Sequence, residues 1–381
     1  MGKPRKQFLM MLFYTVIVMH GRFNMTNVAR HMYCSQRTVS RHFRKPTDFM
    51  GLNELILDDI QLGECIAAMD ATFLPKAGKH TPGLGWFWSG SDSRSLRGLE
   101  LSVISIVSLP LKTGFTLNAI RTDGGLNEES RMTQYCAQVG DCKDSITKYT
   151  SHLVVDGYYS KFDFVEDVLG HGLQIVGKLR WDANMKYLYE GPHEKKRGGR
   201  KKYDGKFDSK DLSRLEFVGT LEDGKTKVEM YTAVLYHMSL KRKIRVVVLK
   251  PEGKRKPVLL YSTDLVLTAE KILEYYTSRF QIEFIFRDAK QHLGLQHCQC
   301  RNEDAMDHHY NVSLTAQNMV KADLYHQGFL RPEIPFSMQD YKREATNHFM
   351  LQRFTSMLGL DPDFVLNHPN YESIINWGRL A

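Results

Sequence analysis

Between residues 64 and 180 short apolar runs of strand length alternate with turn residues and with two segments of helical character, and this alternation limits the fold more than any other feature of the chain. Cys65 to Met69, Leu99 to Leu109 and Gly114 to Ile120 read as strands, and Gly78, Pro82, Gly83, Gly85 and Gly90 between them mark turns. The polar stretch from Asn127 to Lys148 is helix-compatible. It leads to a strand His152 to Val155, a helix Phe162 to Leu169 and a strand Leu173 to Leu179. Two of these strands run into an aspartate, Asp70 and Asp156, each followed at once by small or turn-type residues. Taken singly, an aspartate there is a turn or helix-cap residue. Neighbouring strand ends, however, can bring two carboxylates close enough to share a cation, and the pair gains weight from a third partner.

Three strands, helix, strand, helix, strand resembles the order of a ribonuclease-H-like domain. The fold class expected is therefore α/β, a mixed sheet flanked by helices. Residues 181–263 interrupt it as a β-rich insertion, with a basic, glycine-bearing loop from Glu194 to Lys206 and strands Lys227 to Tyr236, Lys243 to Leu249 and Val258 to Tyr261. The domain would be split into 61–180 and 264–330. Helices fill 1–60 and 331–381, with Ala305 to Tyr325 and Asp340 to Leu358 helical as well. In the first of these regions Thr26 can cap a helix carrying Val28, Ala29 and Met32, a turn follows at Tyr33 to Ser35, and Val39 and Phe43 anchor a second helix. That is helix-turn-helix spacing. The second helix would expose Gln36, Arg37, Ser40, Arg41 and Arg44, side chains able to reach phosphates and base edges; a structural helical hairpin with a solvated basic face is the competing reading.

A helix capped by Thr268 and running to about Leu293 carries Tyr276, Arg279, Glu283 and Lys290. At about 100° per residue these four fall within one narrow sector of its surface. Phe280, Phe284, Ile285 and Phe286 surround that sector, so the helix is expected to be buried and its charges to belong to a site.

The spacing Tyr276-x2-Arg279-x3-Glu283-x6-Lys290 resembles the Tyr-Arg-Glu-Lys signature of the insertion-sequence-four transposases, a branch of the bacterial DDE transposases. With usage near 5% per residue type, four such fixed positions arise by chance in roughly one chain of this length in a few hundred. Asp70-Ala71-Thr72-Phe73-Leu74-Pro75-Lys76-Ala77-Gly78-Lys79 and Val155-Asp156-Gly157-Tyr158-Tyr159-Ser160-Lys161 resemble the first and second aspartate motifs of that family, and the likeness covers roughly 65–300. Asp70 is followed by Ala71, where many members of that family have another small or acidic residue, and His297-Cys298-Gln299-Cys300 replaces a more aromatic stretch. The resemblance implies that Asp70, Asp156 and Glu283 hold two Mg²⁺ ions, with Mn²⁺ able to substitute, and that the chain cuts and joins double-stranded DNA at transposon ends and at a target. Hard cations take carboxylate oxygens, and two ions can activate one oxygen of a phosphodiester and stabilise the other. Arg279 and Lys290 would bind phosphates; Tyr276 would add a hydrogen bond to phosphate or pack the helix. Lys178, Arg180 and the loop Lys195 to Lys202 are candidate backbone contacts. Trp181 and Tyr187 are candidates to stack on a flipped base, although core packing is the reading preferred for both. Family resemblance also implies a homodimer on paired DNA ends.

Composition agrees with a polyanionic partner: the formal charge is +9, gathered in patches such as Lys195, Lys196, Arg197, Arg200, Lys201 and Lys202. Six cysteines without a CxxC pair fit a reducing compartment, and the Cys298–Cys300 spacing is too short for a zinc knuckle. Lys3, Arg5 and Lys6 before the apolar run Phe8 to Met19 imitate a signal peptide, but no small-residue cleavage site follows and the run falls short of the ~20 residues a bilayer takes. The expectation is a buried first helix and a cytoplasmic, nucleoid-associated bacterial protein with no membrane partner. Two alternatives stand beside the transposase: a ribonuclease-H-like nuclease that needs no paired ends, and a domesticated regulator that only binds DNA.

Overall fold

The computed structural model describes residues 2–192, 200–223, 226–253 and 256–379. Four helices come first, α1 (Lys3–Val18), α2 (Met25–His31), α3 (Gln36–Phe43) and α4 (Phe49–Asp58). The side chains of Asn24, Ser35 and Asp48 accept from the amides of Asn27, Thr38 and Gly51 and so satisfy the otherwise open first turns of α2, α3 and α4. Asn24, not Thr26, is thus the cap of α2, because its backbone is extended and the helix begins two residues earlier.

The next segment alternates as its apolar runs require: β1 (Cys65–Pro75), β2 (Gly85–Ser89), β3 (Arg94–Ser108), β4 (Thr113–Thr122), α5 (Glu128–Thr147), β5 (His152–Val154), α6 (Phe162–Gly170) and β6 (Gln174–Leu179). β3 lies between β4 and β1 and is antiparallel to both, while β1, β5 and β6 run parallel. Asp70 therefore lies within β1, not at its end, because β1 continues to pair with β3 as far as Pro75. The glycine-rich stretch expected to be turns contains a true strand, β2, paired with the outer part of β3.

Six further strands follow, β7 (Met185–Leu188), β8 (Tyr203–Lys206), β9 (Glu216–Asp223), β10 (Thr226–His237), β11 (Arg242–Pro251) and β12 (Val258–Ser262). β12 lies antiparallel to β6, with Leu260 opposite Lys178, and so joins these strands to the first group in one twelve-stranded, mostly antiparallel sheet. The chain closes with α7 (Ala269–Ser278), α8 (Gln281–His292), α9 (Glu303–His326), α10 (Met338–Leu358), α11 (Pro362–Leu366) and α12 (Tyr371–Ile375). Among the described residues no helix is long and apolar enough to cross a membrane.

Strand alternation divides the core between the two faces of the sheet. Ala67, Met69, Ile104, Ile106 and Ile175 meet Tyr135 and Val139 of α5 and Phe164 and Val168 of α6 on one face. Ile66, Ala68, Val154 and Leu260 meet Ile272 and Tyr275 of α7 on the other. On that same face Leu74, Leu101 and Val103 pack against Ile282, Ile285 and Ala289 of α8. Leu12, Val28, Val39 and Phe43 of the first three helices share a core with Val312 and Ala316 of α9 and Met338 of α10.

α9 is buried along much of its length, yet it carries polar residues. Its Asn311 donates to Ala119 O at 3.2 Å, Asn318 brackets Thr116 by accepting from N at 2.9 Å and donating to O at 2.7 Å, and Lys321 Nζ donates to Gly114 O at 2.5 Å. These groups cover backbone along β4 that a further strand would otherwise pair, the usual liability of a sheet edge.

Candidate active site

Register brings the two aspartates together. Ala68 of β1 lies opposite Val154 of β5 in the parallel pair, and Asp70 and Asp156 each come two residues later, so both leave adjacent strands at the same level and toward the same face. Asp70 Oδ1 accepts from the amide of Ala71 at 2.8 Å. Asp156 has left the ladder: its backbone is extended, and its Oδ1 accepts from Tyr158 N at 2.8 Å to cap the 3-10 turn Gly157–Tyr159. The cap fixes its carboxylate in place.

The third carboxylate arrives from the face above. The segment expected to be one helix from Thr268 to Leu293 is two, because around Arg279 and Phe280 the backbone bonds tighten: Phe280 N reaches Thr277 O, Ile282 N reaches Arg279 O and Glu283 N reaches Phe280 O, each three residues back. Such a tightened turn bends the axis without breaking the chain's helical course. Tyr276 ends up on α7, Glu283 and Lys290 on α8, and Arg279 at the bend. Phe280 and Phe284, expected to shield the site, are 46% and 45% exposed, since they lie on the side of the helix away from the buried Ile282, Ile285 and Ala289. Ile285 and Phe286 are buried, as Ile282 is.

Arg279 organises what converges there. Its side chain is 6% exposed; Nη1 donates to Asp70 Oδ2 at 2.8 Å and Nη2 to Glu283 Oε1 at 3.2 Å. Its Nε is buried without a hydrogen-bond partner, and the guanidinium lies 5.7 Å from the Tyr276 ring centroid and 5.1 Å from that of Phe280. Burial opposes the charge on Arg279, but Asp70, Tyr276, Glu283 and Asp156 outweigh it and hold its pKa above the ordinary value. Asp70 is pushed up to about 6, first by burial and then by Asp156 and Glu283, against the lowering effect of Arg279 and the Ala71 amide. Three carboxylates thus surround one guanidinium, and the surplus is negative.

Lys290, about two turns beyond Glu283 along α8, donates from Nζ to Thr72 Oγ1 at 2.7 Å, and burial lowers its pKa. Sequence reasoning passed over Thr72. The signal was its place two residues after Asp70, which puts it on the same face of β1. Tyr276 is held by packing, and burial raises its phenol pKa.

Outside this cluster the candidate residues scatter. Lys178 is exposed on β6, and Arg180 is tied to Asp182 by two bonds of 3.0 Å. Arg37, Arg41 and Arg44 are exposed on α3 and just past it, while Val39 and Phe43 of the same helix are buried. Tyr187 is in the core, beneath the Arg214 guanidinium at 3.8 Å. Trp181 is not: it is 42% exposed with Lys256 Nζ 4.5 Å from its ring centroid, so the preference for core packing was wrong there. Lys195, Lys196 and Arg197 lie outside the described residues; Arg200, Lys201 and Lys202 are exposed.

The donor set suits a hard divalent cation, being all oxygen and carrying net negative charge. Among the described residues, no three carboxylate, imidazole or thiol groups stand close enough to share one ion. In the structure, Arg279 occupies the position of counter-charge between Asp70 and Glu283.

A family model described as the transposase DDE domain matches residues 61–319. No curated protein matches the sequence. Among solved structures, that of a piggyBac transposase synaptic complex with hairpin DNA aligns with 98% of this chain and 75% of its own, at 12% identity and a TM-score of 0.41, a likeness too loose to bear on the fold.

Proposed function

The chain belongs to the transposase DDE domain family, and from that premise we propose that it binds the terminal repeats of an insertion sequence and carries out metal-dependent cleavage and strand transfer, with Asp70, Asp156 and Glu283 as the metal-binding carboxylates. The observation that carries this reading is the register of Asp70 and Asp156 on neighbouring parallel strands, with Glu283 linked to Asp70 through Arg279. The strand arrangement β4, β3, β1, β5, β6, antiparallel in its first half and parallel in its second, supports a ribonuclease-H-like catalytic core.

Two Mg²⁺ ions, or Mn²⁺ in their place, would supply activation of the attacking oxygen and stabilisation of the leaving oxygen. The chain's own residues do the rest. Asp156 is held by its turn and Asp70 by the Ala71 amide, and Arg279 pairs with both Asp70 and Glu283, supplying there the counter-charge that a bound cation would supply. With a cation held there, the Arg279 guanidinium would be free to hold phosphate oxygens in a two-pronged contact. Lys290, steadied by Thr72, offers a point charge to the same backbone. α3 is proposed as the recognition helix of a helix-turn-helix, since Arg37, Arg41 and Arg44 face outward from it. Lys178 and Arg180 would extend the contact to duplex DNA. Paired transposon ends call for two copies of the chain, acting at the nucleoid of a bacterial cytoplasm.

The test incubates the purified protein with a plasmid carrying the ends of its own element, in Mg²⁺ and in EDTA, alongside Glu283→Ala. Metal-dependent cleavage at the ends that disappears in the variant, with DNA binding kept, is the expected result. Equal cleavage by the variant would remove Glu283 from the site. A wild-type protein that binds the ends but never cuts them would leave the DNA-binding regulator as the better account.

A further inference from the structure

The four tryptophans of this chain are all exposed, and two of them stand side by side. Along β2 the pattern is strict: Phe87 is fully buried beneath the Arg131 guanidinium at 4.7 Å, while Trp86 and Trp88 on either side are 67% and 61% exposed. A strand that needed only to cover α5 would carry polar residues outward, and two adjacent bare indoles mark a contact surface instead. One cation shares their face: Arg97 lies directly opposite Trp86, and Ser95 opposite Trp88, whereas exposed Arg94, opposite buried Ser89, belongs to the other face by alternation. The acidic residue of the connecting turn, Asp92, is occupied by Ser89 Oγ at 2.6 Å and Ser91 Oγ at 3.1 Å.

Register relates this face to the catalytic cluster. Asp70 lies opposite Val103 on β3, and Trp86 lies opposite Arg97, an even number of residues along the same strand. The indoles and the Asp70 carboxylate therefore leave the sheet on the same side, with Trp86 roughly 20 Å along it from Asp70 and Trp88 roughly 26 Å at ~3.3 Å per residue; the nearer spacing is the one that matters. That is about six nucleotides of stacked DNA. The base of the hairpin is fixed, since a Cβ on Gly85 would stand 2.5 Å from the backbone of Gly124 in the turn after β4. Alternate residues of a strand are ~6.6 Å apart, about twice the ~3.4 Å stacking repeat of bases, and leave room for one planar ring between two others.

We propose that the β2–β3 hairpin is a DNA-binding element that takes an unpaired base of the substrate between Trp86 and Trp88 while Arg97 holds the adjoining phosphate. The proposal rests on the reading of the chain as a DNA-processing enzyme and assigns a part of the substrate to a surface that the carboxylates do not reach.

The experiment is run in EDTA, where no cleavage occurs, on a Trp181→Phe/Trp377→Phe protein whose indole emission comes only from Trp86 and Trp88. The probes are a 20-nucleotide single-stranded DNA of mixed sequence, the blunt duplex of that sequence, and the duplex with a six-nucleotide 3′ overhang. The single strand and the overhang should quench the emission more than the blunt duplex does. Replacing both indoles with Ala in the wild-type chain should weaken single-strand and overhang binding about tenfold or more, the loss expected for one stacked base. Replacing both with Phe should restore most of it, and blunt-duplex affinity should stay within about twofold throughout. Equal single-strand affinity of the Ala pair and the wild type overturns the proposal. So does a change in oligomeric state without a change in DNA affinity, which would make this face a contact between copies of the chain. Cleavage in Mg²⁺ is measured in parallel on the wild type and on Glu283→Ala: quenching that persists while the wild type cuts no DNA sinks the transposase reading and leaves the hairpin assignment standing, whereas wild-type cleavage that Glu283→Ala abolishes, with no loss of binding in the Ala pair, does the reverse.

Discussion

Replacing Arg279 with Met, close in volume and without charge, tests whether the guanidinium stands in for a cation. In the wild type Asp70 has a pKa of about 6 against an ordinary 3.8. The variant loses the group that favours ionisation, so Asp70 would stay protonated to a higher pH. The sign follows from proton counts: above pH 6 the folded variant holds a proton that its unfolded chain has released, so its stability relative to wild type falls as pH rises. The loss is limited by what protonation costs, about 1.4 kcal/mol per pH unit above the wild-type value. That is near zero at pH 6, ~2 kcal/mol at pH 7.5 and ~3.4 kcal/mol at pH 8.5, below the ~3–5 kcal/mol for breaking a buried pair that cannot protonate. With an unfolding entropy of roughly 2.1 cal/mol/K per residue over 381 residues, each kcal/mol moves Tm by about 1 °C. Melting curves at the three pH values without metal should therefore show a gap widening from nothing to about 4 °C, and millimolar Mg²⁺ should narrow it more in the variant than in the wild type. A gap of constant size would mean that Arg279 contributes only packing, and the charge argument would be refuted.

Lys321 offers a test of opposite sign. Burial lowers its pKa from 10.5 to about 7, so the unfolded chain holds the extra proton between those values and wild-type stability rises with pH across that window. Lys321→Met should be more stable by ~2–3 kcal/mol at pH 7, after the unpaired Gly114 carbonyl is charged at ~1–3 kcal/mol, and the advantage should be gone by pH 10 in urea melts. An equal advantage at both pH values would argue against titration. Thr72→Val removes the partner of Lys290 Nζ and should lower kcat/KM for cleavage by up to about tenfold, with Thr72→Ser restoring it; indifference to both would leave Lys290 positioned by something else. Phe43→Ala empties a side chain that is 1% exposed and should cost ~3–5 kcal/mol, whereas Arg41→Ala should leave the melting curve alone and reduce the salt dependence of DNA binding by about one ion.

The parts of the fold that were legible in the sequence are those fixed by local pattern. The polar stretch from Asn127 to Lys148 became α5, the apolar runs became β1, β3, β4 and β6, and α9 and α10 lie where their helical pattern put them. What was missed depends on partners distant in sequence. β2 is short and sits among glycines, and it is a strand because β3 extends far enough to pair with it. β7, β8 and β9 are polar or brief, and each owes its pairing to a neighbour in space. The bend at Arg279 leaves no trace in periodicity, because a change from four-back to three-back bonds alters the axis and not the composition. Among the site residues, Asp70, Asp156 and Glu283 could be picked out by spacing and resemblance, but the central place of Arg279 could not: nothing in a sequence says which of several charges will be the buried one.

The pairing of β12 with β6 has a mechanical consequence. Ten strands follow one another along the main path of the sheet, from β2 at one end to β8 at the other. Nine ladder spacings of about 4.8 Å make that path ~43 Å long. A ladder of hydrogen bonds has no hinge, so the hairpin, Asp70 and the strands of residues 185–262 behave as fixed marks on one stiff rule. Anything that grips two of those marks must match the spacing between them, and a substrate lengthened or shortened between its contact points would have to bend, because the sheet does not.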